Sequence, residues 1–202
     1  MRVAWKADQL RMLKHRIDGS LVQFVFAAKP SVSPTFLARV PRGDWIMLRH
    51  SGTAIKFSRK VAVRSLGENT ARAVSHYIDH QIDNADFADA SFARSIGPYT
   101  RRFPKINPNQ PIEVTRGRYW YCLHLVLVTA ERYRFCRVEC FKRIYDRCLQ
   151  IADRKAYRIA AISVMPDHLH LNLVGSVEHS PEQIALAFQN NLAFAFDQTR
   201  IW

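Results

Sequence analysis

Two histidines one residue apart, His168 and His170, are the side chains of this 202-residue protein best suited to chemistry. They stand in the stretch Val164–Gly175, VMPDHLHLNLVG. Successive side chains of a strand point to opposite faces, so both imidazoles share one face while Leu169 goes to the other, into a core. Two neighbouring imidazoles make half of a divalent-metal site. Taken alone His-x-His is a weak signal in a chain with 8 histidines, and two solvated histidines on the polar face of a strand are the plain alternative. A second group mixes cations with rings: Arg116, Arg118, Arg132, Arg134 and Arg137 surround Tyr119, Trp120, Tyr121 and Tyr133. Guanidinium groups interleaved with aromatics suit single strands or hairpin stems, although solvated arginines at a strand end read equally well. The 4 cysteines, Cys122, Cys136, Cys140 and Cys148, contain no C-x-x-C pair and no partner pair at zinc-finger spacing, so they read as reduced, partly buried thiols.

These residues need elements to hold them. Tyr119–Thr129 is rich in aromatic and branched residues and predicts a strand; Val138, Phe141, Tyr145, Cys148, Leu149 and Ala152 recur at helical spacing. A strand from about Tyr157 to Val164 follows, Pro166 and Asp167 make a turn, and His168–Val174 alternates into another strand. Ser180 caps a helix with Pro181 in its first turn, carrying Ile184, Leu186, Phe188, Leu192 and Phe194. The order is β-α-β-β-α. Earlier in the chain, Leu10, Leu13 and Ile17 predict a helix over Asp8–Ile17, and Leu21–Ala27, Trp45–Leu48 and Ala54–Phe57 read as short strands. After Gly67, Asn69 or Thr70 can cap a helix with Val74, Tyr77, Ile78, Gln81 and Ile82 in a stripe. The three prolines of Gly97–Gln110 predict a linker. The expected organisation is a basic segment at 1–96 holding a helix at about 69–84, a linker at 97–115 and a core half at 116–202.

The string Met165-Pro166-Asp167-His168-Leu169-His170, entered from one strand and continued by another, resembles the signature of the HUH (His-hydrophobe-His) endonuclease superfamily. More closely it resembles the single-tyrosine transposases that move insertion sequences as single-stranded DNA, with their relatives tied to repetitive extragenic palindromes. The resemblance covers about Trp120 to Phe196. In that family a later helix carries a nucleophilic tyrosine and, one turn on, a polar metal ligand that is often glutamine. No tyrosine follows Tyr157 here. Upstream, Ala73–Gln81 reads AVSHYIDHQ, and Tyr77-x-x-x-Gln81 has the family's spacing, preceded by a similar Val63–Gly67 stretch. A permuted arrangement is the expectation, with the tyrosine half first. A degenerate copy without a nucleophile, or a piece of a longer fusion, are the alternatives.

What the resemblance implies is concrete. Mg²⁺ or Mn²⁺ held by His168, His170 and Gln81 would activate a scissile phosphate toward attack by Tyr77, giving a 5′-phosphotyrosine and a free 3′-hydroxyl. A homodimer is also implied, with Tyr77 serving its own chain's histidines or a partner's. His76 and His80 flank Tyr77 and read as solvent-exposed; His124 reads as a packed or surface histidine.

The charge agrees with a nucleic-acid partner. Thirty Lys and Arg against 17 Asp and Glu leave a net +13, and residues 1–80 hold 14 basic and 5 acidic side chains. Such an excess repels itself and is explained by a polyanion. At 48% apolar residues the chain has a core to bury, which excludes disordered and fibrous classes. The longest apolar run, around Leu123–Val128, is far short of a membrane span, and without a secretory signal the expectation is a cytoplasmic, nucleoid-associated protein. The expected fold is α+β, an antiparallel sheet with helices packed on it, and the expected function is single-strand DNA transposition or nicking and rejoining. A hairpin-binding protein that keeps the fold without catalysis is the alternative, and a metal-dependent RNA nuclease is a third class.

Overall fold

The computed structural model describes residues 9–19, 21–40, 60–67, 70–197 and 201–202. Its centre is a four-stranded antiparallel sheet in the order β4 (Thr100–Arg102), β8 (Arg158–Val164), β9 (His168–Val174), β7 (Cys122–Val128). The fold is mixed α+β, with helices against antiparallel sheets. Strand β9 is central because it alone is bonded on both edges to long partners, β7 and β8, over its whole length.

Alternation along β9 gives the sheet two different faces. Leu169, Leu171 and Leu173 are fully buried and point to one side. There they meet α3 (Val138–Arg154), through Phe141, Ile144, Cys148 and Ile151, and α4 (Pro181–Ala195), through Ile184, Phe188 and Leu192. The i, i+4, i+8 spacing of those last three is the buried stripe of α4; Leu186 and Phe194, expected in the same stripe, lie outside it and are exposed. Ser180 starts α4 with a capping box: its hydroxyl accepts from the Gln183 N–H while the Gln183 side chain accepts from the Ser180 N–H. The opposite face is polar. It carries His168, His170 and Asn172 from β9, Ser163 from β8 and Thr100 from β4, and the Thr100 and Ser163 hydroxyls are 2.7 Å apart. Helix α1 (Ala71–Asp79) packs over β4, β8 and β9 on this side, and the short α2 (Ala90–Ile96) follows it in the chain.

Three expectations change. Residues 10–18 form strand β1 (Leu10–Asp18), not a helix, paired with β2 (Leu21–Ala28). The cause is the Asp18-Gly19 turn, where Gly19 takes φ +53°, a conformation glycine adopts freely and which suits a tight hairpin. Leu13 and Ile17, the supposed helical stripe, are exposed. Next, the Pro-rich stretch supplies β4 to the main sheet and, after it, β5 (Ile112–Val114). Pro98 and Pro104 bracket β4 without entering it, so an edge strand forms with its ladder intact, and the Phe103 N–H adds a bond of 2.8 Å to the Ala160 carbonyl. The third change is that Tyr119–Thr129 is two strands: β6 (Gly117–Trp120) joins β5 and β3 (Val61–Arg64) in a second sheet, and β7 begins only after Tyr121. Tyr121 is buried at the break, its hydroxyl donating to the His179 carbonyl at 3.1 Å. Gly175 makes room for it, since a Cβ there would lie 2.9 Å from the Tyr121 ring and 2.5 Å from Ile184. The stretches Trp45–Leu48 and Ala54–Phe57 lie outside the described residues. No helix among the described residues is long and apolar enough to cross a membrane.

Candidate functional site

Helix α1 is built to sit on the histidine face. Thr70 caps it by accepting from the Ala73 N–H at 3.1 Å. Ile78 is fully buried beneath it, a burial that stabilises by about 1.5–3 kcal/mol. Ser75 accepts from the Asn172 side-chain amide at 3.2 Å, and Asp79 pairs with Arg102 of β4 at 3.1 Å. Apolar, polar and ionic contacts thus hold one helix face against β9 and β4, which fixes where Tyr77 and Gln81 go.

Tyr77 lies at the rim, half exposed, with its ring edge-on to the His170 imidazole at 5.4 Å between centroids. Gln81 lies just past the end of α1. Its side-chain N–H donates back to the Tyr77 carbonyl at 3.2 Å, which aims Oε1 at His168 Nε2, 3.4 Å away. All four residues singled out by the family resemblance, Tyr77, Gln81, His168 and His170, therefore meet within one chain.

Two further residues complete the group. His124, on β7, has its Nε2 3.0 Å from His170 Nδ1. Asp167 holds His168 Nδ1 at 2.6 Å and is paired with Arg132 at 3.4 Å. Neither stood out as functional in the sequence. Alternation alone puts His124 on a face with Val126 and Val128, and it is the antiparallel register, which sets those opposite His170 and His168, that brings His124 to the site.

The electrostatics follow from this packing. Burial, reinforced by the neighbouring His168 and His124, pushes the His170 pKa down to about 3, so the ring is neutral at pH 7. Partial shielding lowers His124 as well. Burial would raise Asp167, but its hydrogen bond and charge interaction with His168, with help from Arg132, hold it below the usual carboxylate range. A carboxylate accepts only, so His168 donates to it from Nδ1 and turns Nε2 toward Gln81. His170 Nε2 is buried without any hydrogen-bond partner. Two imidazoles and an amide oxygen, one nitrogen unsatisfied, suit a divalent cation with open positions. Among the described residues no three or more His, Cys, Asp and Glu side chains gather into a metal cluster, so Gln81 is needed to make a third donor.

The arginines divide into two groups. Arg116 and Arg118 precede β7 and belong to the second sheet, where Arg118 pairs with Glu113 at 3.1 Å. Arg132, Arg134 and Arg137 follow β7 at its His168 end, all exposed. Of the interleaved rings, Tyr119 and Tyr121 are buried and unable to stack on bases; Tyr133 is exposed, and Trp120 carries the Arg64 guanidinium 4.9 Å from its ring centroid. His76 is exposed and stacks on His80, their ring centroids 4.2 Å apart. The four cysteines are free thiols, Cys148 buried on the core-facing side of α3.

Residues 118–200 match a protein-family model described as "Transposase IS200 like". The matched stretch begins in β6, spans β7, α3, β8, β9 and α4, and includes His168 and His170; Tyr77 and Gln81 precede it. This part of the chain is similar to the IS200-like transposases, and the match supports that family. A comparison with curated proteins found no match.

Proposed function

We propose that the protein is a metal-dependent single-strand DNA transposase or nickase that works by transesterification through Tyr77. The observation that carries this reading is the meeting of Tyr77 with the histidine face in one chain: its ring is 5.4 Å from His170, and Gln81 is 3.4 Å from His168. The similarity of residues 118–200 to IS200-like transposases supports it independently, because the matched stretch does not contain Tyr77.

Mg²⁺ or Mn²⁺ bound by His168, His170 and Gln81 would supply positive charge that polarises a scissile phosphate. The protein's own groups do the rest. Tyr77, half exposed at the rim, offers its phenolic oxygen to phosphorus; the new O–P bond forms as the bond to the 3′ oxygen breaks. The phenol loses its proton and the departing 3′ oxygen gains one, leaving a 5′-phosphotyrosine and a 3′-hydroxyl. One ester replaces another, so bond energy is conserved and no nucleotide cofactor is required. Asp167 keeps His168 oriented, and α1 covers the polar face over β4, β8 and β9. Over β7 the face stays open, with His124, Val126 and Val128 exposed, which gives a strand of DNA a floor beside the tyrosine. Arg132, Arg134 and Arg137 stand at the His168 end of that floor and would hold backbone phosphates.

Incubation with a labelled single-stranded oligonucleotide set and Mn²⁺ tests the proposal. Cleavage that stops on chelation is expected. Binding without cleavage across a broad set of sequences and both metals would leave a DNA-binding protein on a transposase-like fold.

A further inference from the structure

Strand β7 adds an imidazole to the site that the proposed reaction does not use. His124 and His170 are diagonal neighbours on one face, since His124 pairs with Asn172 and Val126 with His170. Their rings stack at 24° with centroids 5.2 Å apart, and His124 Nε2 is 3.0 Å from His170 Nδ1. Between two neutral imidazole nitrogens one must donate and the other accept. If His124 donates, His170 carries its proton on Nε2, and that N–H is buried with nothing to accept it. If His170 donates from Nδ1, Nε2 is a bare lone pair and no buried donor is left without an acceptor, while the second nitrogen of His124, an exposed residue, keeps its N–H for water. The second arrangement is also the one already fixed at His168, where Asp167 takes the Nδ1 proton.

We infer that His124 is a positioning residue: by accepting the Nδ1 proton of His170 it holds that ring in the tautomer whose Nε2 can take a divalent cation. This rests on the metal reading above. Metal-binding histidines are oriented in this way by carboxylates, carbonyls or water on their other nitrogen. Here one of the two is served by a carboxylate and the other by an imidazole.

Two readouts test it. In the metal-free protein, a two-bond ¹⁵N–¹H correlation spectrum should show His170 protonated on Nδ1. Titration with Mn²⁺ should show His124→Leu, which keeps the bulk and removes the acceptor, binding about 10–100-fold more weakly than wild type, with His124→Gln, whose amide oxygen can accept, restored to within a few-fold. An Nε2-protonated His170 in the wild type, or equal Mn²⁺ affinity in His124→Leu, overturns the inference. The tautomer measurement needs no variant, so it stands even where His124→Leu fails to fold. A wild type with the Nδ1 tautomer that does not bind Mn²⁺ would instead overturn the metal reading, leaving the role of His124 in setting the tautomer supported.

Discussion

The Tyr77 ring meets the His170 imidazole edge to face, with centroids 5.4 Å apart and planes at 89°. These residues are 93 positions apart in sequence, and what joins them is helix α1 lying across β9. The helix is short, nine residues, too short to persist by itself in water, so its position depends on Ile78, Ser75 and Asp79 against the sheet.

Ile78→Ala should therefore lower stability by about 2–5 kcal/mol, the range for removing a buried isoleucine side chain, and loosen Tyr77 from the histidines. Urea unfolding checks the first effect. A loss below about 1 kcal/mol would mean that α1 is not anchored through this residue.

Acid should weaken the fold through His170. Its pKa is near 6.5 when unfolded and about 3 in the fold, so below pH 6.5 the unfolded chain takes up a proton that the native ring refuses. Stability is then expected to fall as pH drops from about 6.5 toward 3, measured with chelator present. His170→Asn should flatten that part of the profile. An unchanged slope in the variant would assign the acid sensitivity to other groups.

Asp167→Asn removes the charge that orients His168 and pairs with Arg132. Mn²⁺ affinity should drop by about tenfold or more in a calorimetric titration, with little change in melting temperature. Undiminished affinity would leave Asp167 as a turn residue only.

Much of this site was legible in advance. The β-α-β-β-α order of the second half, the shared face of His168 and His170 and the Ser180 cap follow from alternation, helical spacing and capping chemistry, which are local. The contribution of His124 was not legible, because it depends on the register between β7 and β9, and register is a pairing property that no single segment carries. In the β1–β2 hairpin Leu10, Leu13 and Ile17 fall at helical spacing, yet the Asp18-Gly19 turn decides the structure. The Pro-rich stretch hides its strand, because its prolines are conspicuous and the three-residue edge strand is too short to show a period.

Binding to single-stranded DNA should weaken with salt, with a slope of about −0.7 in log affinity against log salt for each phosphate neutralised. Arg132, Arg134 and Arg137 replaced together by Ala should reduce that slope, measured by fluorescence anisotropy. A slope unchanged by the triple substitution would move the DNA off the β7 floor.

The most direct test is covalent. Wild-type protein, Mn²⁺ and a cleavable single strand should give a protein–DNA adduct that survives denaturation, and peptide mapping should place the nucleotide on Tyr77. Tyr77→Phe should abolish the adduct while preserving folding and DNA binding, since only the attacking oxygen is lost. An adduct that persists in Tyr77→Phe, or maps to another residue, would contradict the assignment of Tyr77 as the nucleophile.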